Sequence, residues 1–156
     1  EPPAYKGQKP KVTMRIAADT VVDVDGVSFG KPRNDIDAKR MLQRLSGREH
    51  VVHTAFAIGL PNAEKPGITL WKDNEEPAIG PIVKVQSTRV RFHELSAPEI
   101  SEYVATGEPI DKAGAYGIQG RASALVDSID GDFYTVMGLP LGYFVRTMRE
   151  LSFIFR

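Results

Sequence analysis

The 156-residue chain has no cysteine. That removes disulfides, thiolate metal sites and a cysteine nucleophile from its chemistry, and it suits a reducing compartment. Net charge is missing too, since 20 Lys and Arg balance 20 Asp and Glu. Without a global field there is nothing to recruit nucleic acid or an anionic membrane, so neither is expected as a partner, and an anion must be met by a local cluster. No apolar run is long enough to cross a bilayer and no signal-like segment precedes the domain, so the expected compartment is the cytoplasm. Histidine is scarce. His50, His53 and His93 have neither metal-ligand spacing nor a Ser or Cys nucleophile motif, and structural roles are expected for them.

What is present is enough for one substantial core. The chain is 42% hydrophobic and 26% charged, too short for two comfortable domains, and residues 1–156 are read as a single domain. Glu1 to Lys11 carries prolines and lysines without apolar periodicity and reads as a tail, a loop or a remnant. Met14 to Ala18 reads as a buried strand delivering Asp19 and Thr20 at its carboxyl end, where ligands gather in open α/β sheets. Val21 to Val24 continues extended, and Asp25-Gly26 signals a hairpin into Val27-Ser28-Phe29. Gly30-Lys31-Pro32 forms a corner. Asn34 caps a helix whose Ala38, Met41, Leu42 and Leu45 recur at helical spacing and which Gly47 stops. The role of Arg48 just beyond it is left open. His50 to Leu60 reads as a core strand. Pro61 to Pro81 is a loop enclosing, at most, a short strand at Ile68 to Lys72.

Ile82 to Leu95 is the antiparallel return strand, with Lys84, Gln86, Arg89 and Arg91 on its solvated face. Ser96-Ala97-Pro98-Glu99 is a capping box opening a short helix that buries Ile100, Tyr103 and Val104 and stops at Gly107. After Gly120 the chain returns to the core through Ala122 to Val126 and turns at Asp130-Gly131. Phe133 to Met137 reads as a short strand or extended stretch. Pro140 opens a last helix with Leu141, Phe144, Met148 and Leu151 on its apolar side.

Between those last elements lies the stretch on which function turns. Glycines 107, 114, 117 and 120, with Pro109, are too many backbone breakers for a packed helix or a central strand, so Gly107 to Gly120 should be an ordered, shaped loop. Asp111, Lys112, Tyr116 and Gln119 can reach a ligand from it. Spacing alone leaves two readings open: a ligand-binding loop, or a surface loop with incidental polar residues. Lys31 is similarly either a ligand for an anion or a solvated loop cation, and Asp111 with Lys112 either belongs to a site or forms a local ion pair.

This loop, Ala18-Asp19-Thr20-Val21-Val22 followed by Gly30-Lys31-Pro32 and Leu45-Ser46-Gly47-Arg48-Glu49-His50, and Asp130-Gly131-Asp132-Phe133 followed by Val136, Gly138, Leu139 and Pro140 together resemble the Maf family. These nucleoside triphosphate pyrophosphatases are also called septum-formation inhibitor proteins, and the likeness is to their dTTP/UTP-hydrolysing branch. The resemblance covers nearly everything from Met14 onward. It implies an α/β fold with a long twisted mixed sheet flanked by helices and two lobes around a central cleft, as in the inosine-triphosphatase-like group. The family pattern also opens with a strand, a Ser-x-Ser-x-Arg-Arg loop, and a glutamate and a lysine that are not matched here, so that segment is expected to be absent before residue 12.

The resemblance further implies Asp19 as the proton acceptor that activates water, and Thr20 and Gln119 as readers of the base together with an arginine of the unmatched loop. A nucleoside triphosphate brings about four negative charges. Lys31 and Lys112 are the cations available to meet them, with Mg²⁺ or Mn²⁺ held by Asp19 and Asp111. A side-chain amide such as Gln119 can both donate and accept, which suits uracil and thymine. Two functions follow: hydrolysis of dTTP and UTP, or modified pyrimidine nucleotides, to monophosphate and pyrophosphate, or nucleotide binding without turnover linked to cell-division control. A weaker third, hydrolysis of inosine triphosphate, fits Gln119 less well. Members of the family are commonly dimers, and Leu151 to Phe155 is either a homodimer contact or the end of the core.

Overall fold

The computed structural model describes residues 15–59 and 82–151. The tail at Glu1 to Lys11, the loop at Pro61 to Pro81 with its possible strand, and the apolar terminus beyond Leu151 lie outside the described residues. Contacts divide the chain into two compact units, one of residues 18–56 and 85–156 and one of residues 1–17 and 57–84. Of the smaller unit only residues 15–17, 57–59 and 82–84 are described, all in strands. There Ile58 is buried while Ile16 and Val83 are exposed.

The architecture is α/β, a five-stranded sheet accompanied by helices. Its strands are β1 (Arg15–Val24), β2 (Val27–Phe29), β3 (Glu49–Gly59), β4 (Ile82–Phe92) and β5 (Val126–Asp130), in the order β2-β1-β3-β4-β5. β1 and β2 form an antiparallel hairpin with Val22 opposite Phe29. Its two-residue turn has both Asp25 and Gly26 at positive φ, the backbone that matches the twist of the flanking strands. β4 and β5 pair antiparallel, Val90 opposite Ile129, with an irregularity at Arg91 and Phe92.

Helix α1 (Asp35–Leu45) starts where Asn34 accepts the Asp37 amide at 2.9 Å, and it buries Ala38, Leu42 and Leu45. Helix α2 (Ala97–Ala105) has the full capping box between Ser96 and Glu99 and buries Ile100, Tyr103 and Val104. Both faces join Val22, Val24, Val52, Val90 and Phe92 in one core. Helices α3 (Phe133–Met137) and α4 (Leu141–Glu150) follow β5, and Phe144 and Tyr143 of α4 pack edge-on against Phe56.

Four expectations are corrected. Asp19 and Thr20 sit in the middle of β1 rather than at its carboxyl end, because the valines after them continue the same strand. The residues before them are exposed, and burial begins at Val22. On β4 the alternation keeps one phase: Thr88, Val90 and Phe92 face inward, so Val85 is 57% exposed, and neither Lys84 nor Gln86 is on the solvated face. Residues 133–137 are helical. Asp132 caps them by accepting both the amide and the hydroxyl of Thr135, and Gly138 ends them at positive φ. Last, Leu141 is exposed, and Thr147 takes its place on the buried side of α4.

Candidate active site

A cavity of about 280 Å³ in the larger unit is lined at once by Asp19, Thr20, Lys31, Asp111, Lys112 and Gln119. These are all the site residues expected from the sequence. Val22, Val52, Tyr116 and Ile118 give it an apolar base, and Val136 and Met137 of α3, with Gly138 just beyond it, close another side. The α3 wall was not foreseen as a wall, because a helix was not foreseen there.

On the strand side, Asp19 is exposed and its Oδ1 accepts the Thr20 amide at 2.9 Å. Lys31 follows the β1–β2 hairpin and has no hydrogen bond or ion pair among the described residues, which leaves its ammonium free for an anion. On the loop side, Lys112 donates to Asp111 Oδ1 at 2.6 Å. That hydrogen bond and the ammonium charge hold the Asp111 carboxyl below its usual range, and Lys31 adds a smaller pull. Two ammonium groups and two carboxylates therefore share one wet concavity, where their charges can be redistributed by a polyanion.

The loop from Gly107 to Gly120 is ordered as a run of short 3-10 turns at Glu108–Asp111 and Ala113–Ala115, followed beyond it by a third at Arg121–Leu125. Its fastening explains its glycines. Gly114 has φ +68° and donates to the Gly30 carbonyl at 3.0 Å. A Cβ there would stand 2.8 Å from Val22 Cγ2, so only glycine lets the loop lie directly on β1. Ala115, buried, also takes a positive φ, a strained conformation of the kind that surrounding structure must impose. At the other end Glu108 receives the Tyr103 hydroxyl at 3.0 Å and the Arg121 amide at 3.0 Å. A Cβ on Gly120 would collide with that carboxylate.

Tyr116 lines the cavity, but its hydroxyl is spent at 2.8 Å on His50 Nε2 and is not offered to a ligand. Burial raises the phenol pKa and pushes His50 down to about 4. His50 is thus structural, as expected, packed edge-on against Phe92 and Tyr116. Arg48, left open by the sequence, pairs with Asp25 of the hairpin turn. The sequence reading missed Thr54, buried on β3 and hydrogen-bonded to Thr20 Oγ1 at 2.8 Å. Its one visible signal is a hydroxyl at an inward position between Val52 and Phe56.

No cluster of three or more His, Asp or Glu able to cage a metal occurs among the described residues, nor is any helix among them long and apolar enough to cross a membrane.

Known proteins resemble this chain over most of its length. A protein from Symbiobacterium thermophilum is 46% identical over 138 residues, covering 88% of this chain and 62% of the relative. One from Dictyoglomus thermophilum is 44% identical over 126 residues, 81% of this chain and 58% of the relative. One from Thermus thermophilus is 42% identical, covering 87% and 64%. Each of the three is named dTTP/UTP pyrophosphatase. The chain spans about three fifths of the length of these relatives. Matched from residue 4 to residue 151 by the model of the Maf-like proteins, it belongs to that family.

Proposed function

We propose that the protein hydrolyses dTTP and UTP between the α and β phosphorus atoms, releasing the nucleoside monophosphate and pyrophosphate. The observation that carries this reading is the single cavity lined together by Asp19, Lys31 and Lys112. In the reaction a water oxygen bonds to the α phosphorus as the bond to the bridging oxygen breaks. Pyrophosphate departs with that oxygen, and the water's proton passes to Asp19. Negative charge grows on the leaving group, and preorganised cations are the cheapest way to stabilise it. Lys31 has no ion-pair partner among the described residues, and Lys112 can exchange Asp111 for a phosphate oxygen. Asp111 then holds the lysine in range between turnovers. Thr20 and Gln119 read the pyrimidine.

The donor set fits a cation that arrives with the substrate. A hard ion such as Mg²⁺ or Mn²⁺ takes one or two carboxylates and fills its remaining positions with water and phosphate, and Asp19 and Asp111 supply that number. When bound, the ion offsets charge on the phosphate oxygens. The cytoplasm, where nucleotide pools are, is the compartment proposed, and a homodimer the assembly. Exposed Phe133, Tyr134 and Met137 on α3 offer apolar area a second copy can cover.

The test is product analysis by ³¹P NMR with UTP and dTTP in Mg²⁺. Monophosphate and pyrophosphate are expected. Diphosphate with orthophosphate overturns the reading, and so does tight nucleotide binding with no turnover, which would favour the nucleotide-binding module instead.

A further inference from the structure

Three adjacent strands each place a threonine on the way to α3. Thr88 of β4 accepts the Asp132 amide at 2.9 Å and donates to the Asp132 carbonyl at 3.0 Å. Asp132 in turn caps Thr135. Thr54 of β3, fully buried, donates to the Thr135 carbonyl at 2.6 Å. Thr20 of β1, on the cavity, meets Thr54 hydroxyl to hydroxyl at 2.8 Å.

A hydroxyl has one proton and a carbonyl has none. The proton of Thr54 is committed to Thr135, so the contact between the two threonines must use the proton of Thr20. The Thr20 oxygen then faces the cavity with lone pairs only. Gly138 lies beside that oxygen, and a Cβ there would touch it at 3.6 Å, so glycine keeps that side of the hydroxyl clear.

We propose that Thr54 is a specificity-determining positioning residue: by holding the proton of Thr20, it turns the cavity wall into an obligate acceptor that admits a ligand donor and repels a ligand acceptor. This rests on the pyrimidine reading of the site given above. The ring N3–H of uracil or thymine satisfies the Thr20 oxygen, whereas the bare N3 of cytosine sets two acceptors against each other. Orientation is fixed not by Thr20 itself, whose hydroxyl alone could rotate to either sense, but by the strand beside it and the helix above it. An unpaired polar group at such a wall discriminates by about tenfold or more.

The test measures kcat/KM and Kd for UTP and CTP in the full-length protein. Thr54→Val keeps the shape and frees the Thr20 proton, so the UTP-to-CTP ratio should fall about tenfold in both quantities. Thr54→Ser keeps the hydroxyl and should hold the ratio within about twofold. In a Thr20→Val background, Thr54→Val should change the ratio no further. Thr54→Cys, of similar size and a feeble hydrogen-bonding group, replaces the valine variant if that fails to fold, with the same fall expected. A folded Thr54→Val or Thr54→Cys protein with the wild-type ratio overturns the proposal, as does loss of the ratio in Thr54→Ser. Should the wild type turn over neither nucleotide, the pyrophosphatase reading falls, and the ratio of Kd values still decides the role of Thr54.

Discussion

Two walls of the cavity are built on different physics. The strand wall, Ala18 to Val22, lies in a ten-residue strand inside the sheet, between β3 and the hairpin strand β2 that pairs with it from Val22 onward; its backbone is held by repeated ladder bonds. The loop wall, Gly107 to Gly120, hangs from a few unique contacts: Gly114 on Gly30 and Val22, Glu108 on Tyr103 and Arg121, Tyr116 on His50. A substitution on the strand wall can therefore remove chemistry and leave the fold alone, while one on the loop wall disturbs both.

The sharpest separation is expected from Asp19→Asn. The amide oxygen still accepts the Thr20 amide, and the side chain is exposed, so the melting temperature should stay at the wild-type value. Without the proton acceptor, kcat should fall about 10²- to 10⁴-fold, with Kd for UTP measured without Mg²⁺ little changed. A comparable fall in melting temperature would show that the two walls are not independent. Gly114→Ala is the counterpart. Its Cβ would meet Val22 Cγ2 at 2.8 Å in a left-handed conformation, and strain plus overpacking should cost about 2–4 kcal/mol in urea unfolding. kcat should fall with it, because Lys112 and Gln119 ride on the same loop.

Glu108→Ala is milder. Its carboxylate takes the Tyr103 hydroxyl and the Arg121 amide at 3.0 Å each. Hydrogen bonds to a charged group contribute about 1.5–3 kcal/mol and Tyr103 is buried, so a loss of about 2 kcal/mol in urea unfolding is expected. Tyr103→Phe, which deletes one of those bonds, should lose about 1 kcal/mol. If the two losses add in full in the double variant, the residues do not act as one latch.

These differences also explain what could be read from the chain before its structure. Helices α1 and α2 were legible to the residue because their signals are local: Asn34 and Ser96 cap, apolar side chains recur, Gly47 and Gly107 stop. The Asp25-Gly26 hairpin was equally local. The five residues Phe-Tyr-Thr-Val-Met at 133–137 read as extended because their own preference is for strands. Thr88, far away in sequence, clamps Asp132, and Asp132 caps the helix. Likewise Val83 and Val85 suggested the inward face of β4, but the phase is set by Thr88, Val90 and Phe92 packing on the core. The convergence of Asp19, Lys31, Asp111, Lys112 and Gln119 followed from motif order. The Thr20–Thr54 contact and the His50–Tyr116 contact did not, since each depends on which strand or loop lies beside which.

That last contact joins the two walls' supports and gives the smallest expected effect. His50 stands on β3, buried, with Nε2 on the Tyr116 hydroxyl and Nδ1 without a hydrogen-bond partner. Burial holds its pKa at about 4 against an ordinary 6.5. An unfolded chain binds the proton below about pH 6.5, while the folded chain binds it only near 4. Folding stability must therefore decline as pH falls through that window and is fully present above it. Between pH 7 and 5.5 the decline should be about 1 kcal/mol. Asp37, Glu99 and Asp111, whose carboxyls are held low by Arg33, Ser96 and Lys112, lose their contributions only as unfolded carboxyls begin to protonate, near pH 4 to 5. His50→Gln removes the titration and keeps a neutral partner for Tyr116, so urea unfolding at pH 7 and 5.5 should give nearly the same stability. A slope that survives the substitution would mean that another group titrates in the window, and that the support behind the loop wall is not the acid-sensitive one.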